Sequence, residues 1–138
     1  MMRSIGAVVL GFVLIGVLSV SGDMVLRAVM PGAFDARGAV GSTPVLLLVQ
    51  GYVAVFAIFG CYVAARLAPN RPMAHALVLG VLGLAFNIAG SIARWDHAPA
   101  WYHVLAIALV MPYAWLGGRL RERQLERTGA APRAAAAA

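Results

Sequence analysis

Four stretches, residues 5–22, 45–67, 73–93 and 100–118, are apolar and carry between them a single formal charge, Arg66 near the end of the second. Each reaches or approaches the ~20 residues that an α-helix needs to cross a ~30 Å hydrocarbon core at about 1.5 Å per residue. Composition agrees: 62% of the chain is hydrophobic and its mean hydropathy is +0.86, against about 45–50% apolar residues in soluble domains. The expectation is an all-α membrane protein whose four transmembrane helices pack as an antiparallel bundle. That bundle forms one domain over 1–127, and the alanine-rich tail 128–138 is read as disordered.

The first stretch ends in Ser19, Ser21, Gly22 and Asp23, after which apolar character resumes through Met24 to Met30. A basic start, an apolar run and small residues also describe a cleavable signal peptide. The resumption favours an uncleaved span extending to residue 30. Gly and Pro between Pro31 and Pro44 mark a loop. The segment Arg66-Leu67-Ala68-Pro69-Asn70-Arg71-Pro72 is a short basic hinge between the second and third spans. Trp101 and Tyr102 at one end of the fourth span, with Tyr113 and Trp115 towards the other, fit interfacial aromatic belts. Pro112 interrupts that span's hydrogen bonding, and a basic helix is expected to continue to Arg127.

At 100° per residue, Gln50, Ala54, Ala57, Cys61, Ala64, Ala65 and Ala68 share one face of the second span. Ala76, Gly80, Gly83, Asn87, Gly90, Ser91 and Arg94 share one face of the third. Small residues let helix backbones approach, so Ala57, Cys61, Ala64, Gly80, Gly83 and Gly90 are read as packing positions of a tight hairpin closed by the hinge.

All eleven basic residues are arginine. An even number of spans puts both ends of the chain and the hinge on one side. That side collects eight arginines against Glu122 and Glu126, while the other holds Arg27, Arg37 and Arg94 balanced by Asp23, Asp35 and Asp96. The bias assigns the first side to the cytoplasm, giving a multi-pass inner-membrane protein with both termini inside. The charge therefore points to the lipid bilayer as partner, not to nucleic acid.

Polar groups inside spans are costly and mark candidate sites. Gln50 and Asn87 lie about 26 Å and 21 Å from the hinge. Asp23, Arg27, Ser91 and Arg94 fall at similar or greater distance, so the six are expected to form one polar cluster, either as interhelical hydrogen bonds or as a ligand or ion site. His97 and His103 beside Asp96 lack the spacing of a metal site. No nucleotide loop, serine elbow or paired carboxylates is present, and a single cysteine allows no intramolecular disulfide. No catalytic residue, metal or cofactor is assigned.

The runs Tyr62-Val63-Ala64-Ala65-Arg66-Leu67-Ala68-Pro69, Arg71-Pro72-Met73-Ala74-His75-Ala76 and Pro112-Tyr113-Ala114-Trp115-Leu116-Gly117-Gly118-Arg119-Leu120 resemble those of small uncharacterised four-span proteins of bacterial inner membranes. The resemblance spans roughly the second to fourth helices and implies location without activity. The chain lacks the first-span glutamate of small multidrug transporters and the glycine-arginine start of fluoride channels. Its expected role is a non-enzymatic accessory or packing subunit, partnered by its own copies or another membrane protein. The alternative is an oligomeric small-solute or ion transporter.

Overall fold

The structure, a computed structural model, describes residues 2–129. Helix α1 runs Met2–Val29, α2 Thr43–Leu67, α3 Pro72–Ala93 and α4 Ala100–Arg127, with one-turn helices at Pro31–Ala33 and Trp95–His97. Proline sets most of the boundaries, because it lacks an amide proton and restrains the residue before it. Pro31 follows the end of α1, Pro44 opens α2, Pro69 follows its end, Pro72 opens α3 and Pro99 precedes α4. The first span is one unbroken helix, and α4 carries Pro112 inside it and continues without interruption through the basic segment to Arg127. Of the tail expected at 128–138, Thr128 and Gly129 close α4, and the remainder lies outside the described residues.

All four helices are long and apolar enough to cross a membrane. The 22 residues of α3 span ~33 Å. Large apolar side chains cover the outside of the bundle: Val29 and Ile92 are each 73% exposed, and Val9, Val17, Val55, Phe86 and Val104 are exposed with them. An aqueous surface does not sustain a continuous apolar coat of this kind, whereas lipid does.

The start of α1, the α2–α3 hinge and the end of α4 lie together at one end of the bundle, the hinge end. At the opposite, loop end, the α1–α2 loop meets the α3–α4 loop through Val40 N–H donating to the His97 carbonyl (2.9 Å). Around the bundle the order is α1, α2, α4, α3, with α1 and α3 touching only sparingly.

Close packing is concentrated at the hinge end, where Val8, Cys61, Ala64, Ala65, Ala76, Leu79 and Ala114 form one buried cluster. Here the structure departs from the expected hairpin. The small faces of α2 and α3 do not simply close on each other, because α4 takes up much of both. Its adjacent Gly117 and Gly118 touch a helix each. A Cβ on Gly117 would lie 2.6 Å from Cys61 Cβ and 2.7 Å from the Ile58 carbonyl oxygen of α2, and one on Gly118 would lie 2.6 Å from Met73 Sδ and 3.1 Å from Ala76 Cβ of α3. A glycine pair can serve two neighbours at once, which no single stripe on α2 or α3 reveals. Gly80 likewise faces Ala114, and Gly11 of α1 faces Leu79, Ala64 and the Gly60 carbonyl.

The hinge itself turns at Arg71, which adopts a left-handed conformation (φ 48°, ψ 61°). Its carbonyl receives the Ala74 N–H (3.0 Å) and lies 3.1 Å from His75 Nδ1. Beyond the hinge, Gln124 Oε1 accepts from Tyr62 Oη (2.7 Å) and from Arg121 Nη1 (2.8 Å), tying the last turns of α4 to α2.

Candidate functional site

Towards the loop end the bundle opens around a cavity of about 480 Å³. Its deep end is apolar, made by Ile15, Val53, Ala57, Leu79 and Val110. All six residues of the expected polar cluster, Asp23 and Arg27 from α1, Gln50 from α2, and Asn87, Ser91 and Arg94 at the end of α3, line this one cavity. They share it because each sits in the loop-end half of its helix, on the face turned to the bundle axis.

They do not satisfy one another. Asp23 accepts a hydrogen bond from Tyr52 Oη of α2 and pairs, within 4 Å, with neither Arg27 nor Arg94. Arg27 lies over the Phe34 ring, 4.4 Å from its centroid, a cation–π contact that holds it against the loop. Gln50, only 7% exposed, donates through Nε2 to Tyr113 Oη of α4 (3.1 Å), while its Oε1 is buried without a partner among the described residues. Ser91, also 7% exposed, makes no side-chain hydrogen bond among the described residues, nor do Asn87 and Arg94. Interhelical bonds between these residues would have consumed this capacity. What the cluster retains is the buried side chains of Gln50 and Ser91, the Asn87 amide above the apolar floor, and at the rim the Arg94 guanidinium, without an ion pair among the described residues.

The packing positions divide by depth. Ala64 and Cys61 are buried in the hinge-end cluster, and Gly80 meets Ala114. Ala57, Cys61, Gly80, Gly83 and Gly90 all line the cavity, Cys61 and Gly80 at its packed floor, and a Cβ on Gly83 would find only Val110, at an ordinary 3.7 Å. Gly90 is exposed, and nothing lies within 4 Å of where its Cβ would stand. On the outer half of α3 the small residues therefore leave space and do not bring helices together. Sequence periodicity cannot separate the two uses.

Two features were not foreseen. The α1–α2 loop folds in as a cap: Leu26, Val40, Val45 and Leu46 form a second buried cluster with Phe34, Tyr52 and Tyr102 packed against it. Within the loop, Asp35 Oδ1 accepts from the N–H groups of Arg37 (2.8 Å) and Ala39 (2.7 Å), and Gly38 takes φ +77° beside the Arg27 guanidinium. Those amides, Ala39 first, hold the Asp35 carboxyl below its ordinary 3.8. The second is the place of the histidines. His103 Nε2 lies 3.2 Å from the Trp95 carbonyl oxygen and its ring stacks on Trp95 at 5.0 Å, while His97 Nδ1 is buried without a partner among the described residues.

Fold and site thus define an integral membrane protein built from four apolar helices, with an internal cavity of mixed polarity at one end. No family model, no curated protein and no solved structure matches this chain.

Proposed function

We propose that this protein is a non-enzymatic accessory protein of a bacterial inner membrane that binds a small amphipathic molecule in its loop-end cavity. One observation carries the reading. Polar side chains from all four helices line a single cavity, and Gln50 Oε1, Asn87, Ser91 and Arg94 keep hydrogen-bonding capacity that the described residues do not use. Buried polar groups above an apolar floor, in a volume of this order, are the ordinary make-up of a small-molecule site. The arginine bias supports cytoplasmic termini and hinge, which puts the cavity in the outer half of the bilayer.

Packing alone accounts for the hinge end, where small residues meet backbone to backbone, and leaves the unused polar groups of the loop end unexplained. The same close packing of Gly11, Gly60, Gly117 and Gly118 argues against a conduit through a single chain. Of the reactive side chains in the lining, Cys61 is buried in the hinge-end cluster as well and His103 is engaged by the Trp95 carbonyl, and no carboxylate stands beside either among the described lining residues, which supports binding over catalysis.

The test is the double variant Gln50→Leu, Asn87→Leu, studied by native mass spectrometry of protein extracted from its own membrane in a mild detergent. The wild type is expected to retain a small-molecule adduct that the double variant loses while keeping its thermal stability. If the variant loses stability and neither protein carries an adduct, the polar residues are helix-to-helix bonds and the binding reading is wrong.

A further inference from the structure

We infer that the cavity receives a single-chain anionic amphiphile, which comes from the bilayer between α1 and α3 and places its acidic head at Arg94. This rests on the binding reading above and names the ligand's chemistry. The route follows from where the two helices meet. Phe12 and Phe86 touch with ring centroids 4.9 Å apart, and nearer the hinge Gly11 faces Leu79. Beyond Phe86, towards the loops, Asp23 of α1 and Gly90 and Arg94 of α3 all line the cavity and yet are exposed. The wall is therefore open on this side, at a depth where the surroundings are lipid. The connection of Val40 to His97 joins the α1–α2 loop to the α3–α4 loop across the end of the bundle.

Polarity then sets the ligand's orientation. Along α3 the cavity wall changes from Arg94 at the rim, through Ser91 and Asn87, to Gly83 and Leu79, each step of three or four residues descending ~5–6 Å. An amphiphile lying along this ladder has its head at the membrane interface and its chain on the apolar floor, as it would in the bilayer itself. The head's sign follows from the charges lining the cavity. Arg94 has no ion pair or side-chain hydrogen bond among the described residues, and Arg27, held over Phe34, lines the same cavity. The one carboxylate of the lining, Asp23, already receives the Tyr52 hydroxyl. A carboxylate or phosphate head gains a charge-assisted hydrogen bond from Arg94, and the Ser91 hydroxyl and Asn87 amide N–H lining the cavity below are further donors.

The experiment uses the full chain in nanodiscs of zwitterionic lipid, with radiolabelled decanoate as probe and protein-free discs as background. Saturable decanoate binding is expected. Unlabelled decanoate should displace it about tenfold better than decanol or decyltrimethylammonium, and acetate, which has the head without the chain, should displace nothing. Arg94→Gln, at an exposed and unpaired position, should weaken decanoate about tenfold and leave decanol unchanged, a difference of about 1.4 kcal/mol. Gly83→Phe, growing into the cavity, should abolish binding. Equal displacement by all three heads, displacement by acetate, or an Arg94→Gln variant that binds decanoate as well as wild type would overturn the inference. Loss in Gly83→Phe without head preference would leave the cavity a binding site and sink only the anionic assignment. Wild-type and Gly83→Phe proteins alike without saturable binding would sink both.

Discussion

Two glycines to alanine, one at each end of the bundle, should move stability in opposite directions. At Gly117 the added methyl would stand 2.6 Å from Cys61 Cβ, 2.7 Å from the Ile58 carbonyl oxygen and 2.9 Å from the Tyr62 nitrogen. Two of these three are backbone atoms that cannot rotate away, so α2 and α4 must separate by about 1 Å to restore a normal 3.5–4.0 Å contact. The separation would be felt by Ala64, Ala76 and Ala114, which are between 0% and 1% exposed. Overpacking of this kind costs about 1–3 kcal/mol. At Gly83 the methyl meets only Val110 Cγ1, at 3.7 Å. It gains a contact, and alanine restricts the chain in a helix by up to ~1 kcal/mol relative to glycine, less where the denatured state keeps its helices. That gain is common to both helical sites, so the two variants should differ by about the overpacking cost, 1–3 kcal/mol, with Gly117→Ala below wild type and Gly83→Ala at or above it. Reversible unfolding in mixed micelles, followed by circular dichroism and checked by steric trapping, measures the difference. A Gly117→Ala protein as stable as wild type, or two equally destabilised variants, would refute the division into a packed end and an open end.

Other expectations follow from the same geometry. Gln50→Leu removes the bond to Tyr113, about 0.6–2 kcal/mol in a bilayer, but also an unpartnered buried oxygen costing about 1–3 kcal/mol. The variant should unfold within ~1 kcal/mol of wild type, and a much larger loss in the micelle assay would show that the amide is structural. With Cys61 replaced by alanine, a cysteine at Ser42 should react with a membrane-impermeant maleimide in intact cells and one at Thr128 should not; the reverse result would invert the orientation. Asp35, whose folded carboxyl titrates below 3.8, contributes loop stability that is present above its unfolded pKa and lost as pH falls through the lower folded value. Amide exchange at Arg37 and Ala39 should accelerate only in that acidic window, and Asp35→Ala should remove the dependence; acceleration near neutral pH would contradict it. Arg71→Gly should relieve the left-handed backbone by up to ~1 kcal/mol, measured by the same unfolding assay.

The helices were legible because apolar length and proline placement act locally. Pro31, Pro69, Pro72 and Pro99 mark ends that no tertiary contact needs to specify. The depth of the polar cluster was legible too, since residue rise converts position into height. Direction around the helix axis was legible on α3 as well, where Gly80, Gly83, Asn87, Gly90, Ser91 and Arg94 all line the one cavity. What each small residue would meet was not: a Cβ on Gly80 meets Ala114, one on Gly83 only Val110 at 3.7 Å, and one on Gly90 nothing within 4 Å. Which outcome a glycine has depends on the neighbour's shape, and α4 gave little warning that Gly117 and Gly118 would reach both α2 and α3. The cap formed by residues 31–42 was hidden for a different reason: its closure on Tyr102 and His97 joins positions distant in sequence through turn geometry and one backbone bond.

That bond between Val40 and His97 has a mechanical consequence. It couples the α1–α2 loop to the α3–α4 loop, so all four helices are tied at the loop end, while Tyr113 and Gln50 pin α4 to α2 farther in. Helix α3 packs most extensively on α4 and meets α1 sparingly, with the Phe12–Phe86 pair between them. The seam between α1 and α3 is therefore the least fastened wall of a bundle closed at both ends, and Arg94 stands at its rim.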